Sequence, residues 1–146
     1  MMDFLTGMRV SSSGMTAQRV RMNAISSNIA NVNTTRTPEG GPYRRKDVVF
    51  EAMPEARNFG EVLTDQMDTN INRVQVTDVI PDQKAPLLRY APDHPDANAD
   101  GYVAMPNINI TEEMTNMIQA TRAYEANVSA MSATKDMAMT AIDIAR

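Results

Sequence analysis

All eight prolines of this 146-residue chain, Pro38, Pro42, Pro54, Pro81, Pro86, Pro92, Pro95 and Pro106, fall between positions 38 and 106. Proline removes a backbone donor and clashes with the preceding helical turn, at a cost of about 3 kcal/mol or more inside a helix. The chain therefore divides into helix-permissive ends, residues 1–35 and 109–146, and a helix-poor middle, residues 36–108. Methionine follows the opposite distribution. Of 13 methionines, five lie in residues 1–35, five in residues 109–146 and three between.

Both ends carry heptads. Met8, Met15, Met22 and Ile29 recur at seven, and Phe4, Ser11, Gln18, Ile25 and Val32 follow at an offset of three. The spacing predicts a helix over residues 4–32, roughly 44 Å long at 1.5 Å per residue, stopped by Asn33-Thr34-Thr35 and Pro38. Ser11-Ser12-Ser13-Gly14 weaken it, Gly14 alone by about 1 kcal/mol against alanine, so it needs a partner. At the other end, Ile110, Met117, Tyr124, Met131, Ala138 and Ala145 form one seam, and Met114, Thr121, Val128, Lys135 and Ile142 the other. Thr111 is the expected N-cap, with Glu112 and Glu113 at the positive end of the helix dipole. Ala120, Ala123, Ala126, Ala130 and Ala133 add helix propensity and permit close approach of a neighbour.

The middle reads as short strands. Asp47-Val48-Val49-Phe50 is an apolar run, and Arg73-Val74-Gln75-Val76-Thr77 alternates as a half-buried strand does. Leu87-Leu88-Arg89-Tyr90 and Gly101-Tyr102-Val103 are two more, separated by the Pro-, Asp- and Asn-rich loop 91–100. Residues 54–72 read as weakly ordered. The expected fold is α+β: two long terminal helices pairing as a coiled coil, with a small β-rich middle insert. Two helices leave each other's apolar stripes half covered, so further copies or other chains are expected to complete them.

Composition excludes several chemistries. With 14 Lys plus Arg against 18 Asp plus Glu, the net charge is -4 and the pI about 4.9, which argues against a nucleic-acid binder. Without cysteine there is no disulfide framework, thiolate metal site or cysteine nucleophile. The one histidine, His94, has no serine or cysteine motif beside it to form a triad. Carboxylate pairs such as Glu112 with Glu113 or Asp65 with Asp68 lack a cleft that would raise a pKa for glycosidase work. Asp96-Ala97-Asn98-Ala99-Asp100-Gly101 matches the first half of a calcium loop, but Asn107 stands where a bidentate Glu is required. An acidic turn is the plainer reading, and a calcium-dependent adaptor using residues 96–101 the alternative. Arg44-Arg45-Lys46 reads as a solvated strand end or an ionic contact to another subunit. No catalytic residue, cofactor or metal is expected. The first residues lack a basic, apolar secretory signal, and no apolar run of about 18 residues offers a membrane span.

The methionine seams serve either as core filler or as an adaptable interface; their heptad spacing favours the interface. Expected subunit-interface residues are Met8, Met15, Met22, Ile25, Ile29, Met114, Met117, Tyr124, Val128, Met131 and Ile142, joined by Asn28, Asn31, Asn33 and Thr34 at the first helix end. These Asn and Thr side chains can bond the free groups of the helix terminus, and a purely local cap is the simpler use of them.

The stretch Ser26-Ser27-Asn28-Ile29-Ala30-Asn31-Val32-Asn33-Thr34-Thr35 resembles the motif ending the N-terminal helix of bacterial flagellar axial proteins. Residues 90–103 (Tyr90-Ala91-Pro92-Asp93-His94 through Val103), Glu112-Glu113-Met114-Thr115-Asn116-Met117-Ile118 and Arg122-Ala123-Tyr124-Glu125-Ala126-Asn127 are similar to rod proteins of its proximal segment. The resemblance implies export unfolded through the flagellar type III apparatus without a cleaved signal, and assembly in the periplasm into a rod that carries torque from motor to hook. It implies terminal helices paired in the inner layer of a tubular helical polymer. The implied partners are further copies of the chain, the rod proteins FlgB, FlgF and FlgG, and the FliE adaptor.

A marginal first helix should be poorly protected alone. In dilute monomer, amide exchange across residues 4–32 is expected to be fast relative to the middle region; uniformly high protection there contradicts this reading.

Overall fold

In a computed structural model, which describes residues 2–54 and 72–144, two long helices flank two small sheets. Helix α1 spans Met2–Ala30. Strands β1 (Lys46–Pro54), β2 (Asn72–Pro81), β3 (Leu87–Tyr90) and β4 (Tyr102–Met105) follow, then helix α2 (Ile110–Ile144). The expected α+β fold is the one observed. The stretch read as weakly ordered, and the pair Asp65 and Asp68, lie almost wholly outside the described residues.

The two helices pack antiparallel, α1 also lying against β1 and β2. Their register follows three contacts. A Cβ on Gly7 would lie 3.9 Å from Thr134 Cγ2, one on Gly14 would lie 3.0 Å from Asn127 Nδ2, and Asn28 donates to Glu113. Each seven-residue step along α1 is matched by a seven-residue step back along α2, as an antiparallel coiled coil requires.

One expected seam of α2 turns inward, where Met117, Tyr124, Met131 and Ala138 are half-buried. The other does not. Met114, Thr121, Val128, Lys135 and Ile142 are all exposed, and the row one position earlier, Glu113, Ala120, Asn127 and Thr134, faces α1. Ala120 and Glu113 are each 1% exposed. The cause is steric and polar. Gly7 and Gly14 present bare backbone that admits close approach, and Glu113 finds its donors only on this face. On α1, Ile25 is buried and Met8, Met15, Met22 and Ile29 are half-buried.

Helix α2 begins one residue before the expected cap. The Asn109 side-chain oxygen accepts from the Thr111 N–H at 3.0 Å, and its carbonyl accepts from the Glu113 N–H at 3.0 Å. Asn109, not Thr111, therefore caps the helix.

The four strands form two separate antiparallel pairs, β1 with β2 and β3 with β4. The first pair shifts register between Val49 and Phe50, so that Thr77 is the extra residue. The expected half-burial of β2 is limited to Val76, because helix α1 alone lies against this sheet. Val103, Pro106 and Ile108 are buried around β4. Gly101, at φ 78°, closes the loop between β3 and β4, where a Cβ would meet the Tyr90 ring at 3.0 Å.

Gly14 offers a test of the register. Gly14→Ala should gain the helix propensity of alanine, about 1 kcal/mol, only when Asn127→Ala clears the space. A double-mutant cycle by urea denaturation checks this, and simple additivity of the two changes contradicts the contact.

Candidate assembly interface

The end of α1, the start of β1 and the start of α2 meet at one polar junction. Asn28 is fully buried, and all four hydrogen-bonding positions of its amide are used. Its Nδ2 donates to the Lys46 carbonyl and to Glu113 Oε2, both at 2.9 Å. Its Oδ1 accepts from the Lys46 N–H at 2.8 Å and from the Tyr43 hydroxyl at 3.1 Å. Glu113 Oε1 accepts from Arg45 Nε at 2.8 Å, and Arg45 Nη1 reaches Asp47 at 3.3 Å. Burial by itself lowers the Arg45 pKa. The hydrogen bond and charge of Glu113, followed by those of Asp47, outweigh it and hold the guanidinium above its ordinary value. The pair is thus a fixed charge contact, and Asn28 splices a strand's backbone to a helix on each side of it.

The helix terminus is closed within the chain. Asn31 Nδ2 donates to the Ser27 carbonyl at 2.9 Å, and its side-chain oxygen accepts from the Thr34 hydroxyl at 3.1 Å. The Thr34 carbonyl accepts from the Tyr43 N–H at 3.0 Å, and Ser27 and Tyr43 hydroxyls lie 3.1 Å apart. Asn28, Asn31 and Thr34 therefore share a local framework, while Asn33 is exposed beside it.

The expected interface residues fall into two groups. Met8, Met15, Met22, Ile25, Ile29, Met117, Tyr124 and Met131 are covered wholly or partly within the chain. The Thr121 hydroxyl donates to the Met117 carbonyl at 2.9 Å and lies 3.7 Å from the Met22 sulfur. Met114, Val128 and Ile142 stand on the outer ridge of α2 with exposures of 56%, 40% and 62%, and Ile118 joins them at 55%. This ridge runs beside the covered seam along the length of the helix.

Other sequence candidates resolve into ordinary structure. In the loop read as half a calcium site, Asp96 accepts from the Thr35 hydroxyl at 2.7 Å. The Asn98 side-chain oxygen accepts from the N–H groups of Asp100 and Tyr102. Among the described residues no group of three or more His, Asp or Glu side chains is placed to hold a metal. His94 Nδ1 accepts from the Asp96 N–H, a turn contact. The basic cluster is corrected at one position: Arg45 is half-buried and forms its ion pair within the chain, to Glu113. Glu113 is likewise held apart from Glu112, which is exposed, so the two carboxylates set aside as an acid/base pair in the sequence do not share a site. No described helix is long and apolar enough to cross a membrane.

Glu113, Gly7, Gly14 and Asn127 do not belong to the apolar seams expected from the sequence. Their available signal was a second heptad, Gly7-Gly14 against Glu113-Ala120-Asn127-Thr134, which is polar and small and so hidden from a search for apolar repeats.

Comparison with known proteins agrees with this layout. The family described as "Flagella basal body rod protein" matches residues 8–36, and that described as "Flagellar basal body rod FlgEFG protein C-terminal" matches residues 99–144. The flagellar basal-body rod protein FlgC of Bacillus subtilis is 44% identical over 146 residues, covering 95% of this chain and 96% of its own. FlgC of Borreliella burgdorferi is 42% identical over 151 residues, at 98% of both chains. FlgC of Aquifex aeolicus is 41% identical, at 94% of this chain and 93% of its own.

The junction has a measurable signature. Arg45→Met strands a buried carboxylate and should cost about 3–5 kcal/mol. Adding Glu113→Met leaves no charge behind and should return part of that loss. A double variant as unstable in denaturant as the two single losses combined contradicts the ion pair's role.

Proposed function

Because this chain belongs to the FlgC family of flagellar basal-body rod proteins and is a structural subunit of that rod, we propose that its paired terminal helices pack with those of other subunits into a tubular helical polymer carrying torque from motor to hook. The observation that supports this most directly is the outer ridge of α2. Met114, Ile118, Val128 and Ile142 are exposed in a row on a helix already paired on its neighbouring face. Each such side chain contributes about 1.5–3 kcal/mol once fully buried. A surface that fits a different surface on the next copy extends into a filament when the rotation between copies does not close into a ring.

In this reading the chain is not an enzyme, and its contacts are its function. Its neighbours are further copies of itself, the rod proteins FlgB, FlgF and FlgG, and the FliE adaptor. It reaches the periplasmic rod through the flagellar type III export apparatus without a cleaved signal. The division into axial segments 1–35 and 109–146 and a middle region 36–108 follows the same logic, with the middle facing outward. Asn28, Asn31, Asn33 and Thr34 present the rigid end of α1 to a neighbour, Asn33 being the member with an exposed side chain.

The test uses cells lacking their own copy of the gene. Val128→Asp and Met114→Asp change exposed ridge positions, so the chain should fold and be exported while rods fail to form. Met22→Asp and Met131→Asp strike the half-covered seam and should abolish rods as well, with a loss of helix-pair stability. If cells carrying Val128→Asp build normal rods and swim, the ridge is not an assembly surface.

A further inference from the structure

We propose that Met114 and Met139 are redox-modification sites, whose oxidation by peroxides in the free subunit adds a polar group at apolar positions of the outer ridge of α2 and opposes their burial. The inference rests on the reading of that ridge as an assembly surface. It begins from how the structure sorts the described methionines of the helices. Met22, Met117 and Met131 are half-buried in the seam, and the Thr121 hydroxyl covers the Met22 sulfur at 3.7 Å. Met114 and Met139 are 56% and 54% exposed. Met139 lies one turn after Lys135 and one turn before Ile142, so it shares the ridge of Met114, Val128 and Ile142. Met137 is also exposed, at 65%, but two residues from Met139 it points to the other side of the helix.

The chemistry needs only an exposed thioether and a peroxide. The sulfur attacks one peroxide oxygen, the O–O bond breaks, and an S–O bond forms. Sulfur gives up two electrons, and with hydrogen peroxide the second oxygen leaves as water. The product, methionine sulfoxide, keeps the length of the side chain but carries a strong acceptor and a dipole. Exposed in the monomer, that acceptor is solvated at no loss. Packed against an apolar neighbour it exchanges water for a surface without donors, which is unfavourable; beside Met139 the Lys135 ammonium, one turn away on the same ridge, offsets part of that cost. Oxidation therefore spares the fold of the subunit and acts on assembly. Once the ridge is covered, its sulfurs are shielded, so an assembled subunit is resistant and an unassembled one is vulnerable. Sulfoxide reduction reverses the change.

Two measurements test this. Purified full-length chain is treated with hydrogen peroxide, and oxidation at each methionine is followed by peptide mass spectrometry. Met114, Met137 and Met139 should gain oxygen before Met22, Met117 and Met131; the opposite order, or no order, overturns the proposal. In cells lacking the native gene, Met114→Gln with Met139→Gln imitates the polar sulfoxide and should lose rods while the purified variant keeps its helical circular dichroism. Met137→Gln should build rods. Normal rods with the double Gln variant overturn the proposal. If Val128→Asp still blocks assembly in that case, the ridge reading survives and only the redox inference falls. If Val128→Asp also builds rods, both fall.

Discussion

The rest of the structure depends on one buried amide. Asn28 has no exposed surface, and its two donors and its acceptor oxygen join the end of α1 to the Lys46 peptide and to Glu113 of α2. Without Asn28 the start of β1 loses its hold on the helix, and the Glu113 carboxylate loses one of its two donors. Without Arg45 the same carboxylate is left without its ion-pair partner in a site 1% exposed. Such a site is costly when half satisfied and specific when complete. It fixes which residues of the two helices face each other, and that fixes which apolar residues are left outside.

From this junction the pairing thins toward the chain termini. Near Asn28 the seam is dense and polar. At Gly14 the helices approach closely enough that a side-chain carbon would touch Asn127, and at Gly7 the corresponding gap is 3.9 Å. Beyond, Met137, Met139, Ile142 and Ile144 are exposed on α2. The anchored end holds the start of β1, while the far end of the β1–β2 sheet reaches the middle of α1, where the Val74 N–H donates to the Ser13 hydroxyl oxygen at 3.2 Å.

Much of this architecture was legible from residue spacing. Proline placement separated helices from strands, the heptads located both helices to within a few residues, and the four strands were visible as short apolar or alternating segments. The phase of the second α2 seam was not. A search for apolar repeats selects Met114, Val128 and Ile142, whereas the chain buries Glu113, Ala120 and Asn127 one position earlier. Glycine gaps and a carboxylate's need for donors decided that choice, and neither appears in a hydropathy pattern. The junction was equally hidden, because Asn28 is 18 residues from Lys46 and 85 from Glu113, and Arg45 is 68 from Glu113. Asn28 was recognisable as part of a helix-ending motif, but its partners are defined only by the fold.

The matched seven-residue steps also determine how the helix pair answers a pull along its length. A heptad seam is periodic, and the easiest way for two such helices to yield is to slide by one repeat. Here that slide would bring Asn28 opposite Ala120, which offers no side-chain acceptor, and would draw Glu113 away from both Asn28 and Arg45. The junction therefore works as a detent: the smooth part of the seam tolerates small adjustments, while a full notch of travel is blocked by a stranded carboxylate. A shaft assembled from such pieces resists creep because each piece is indexed to itself.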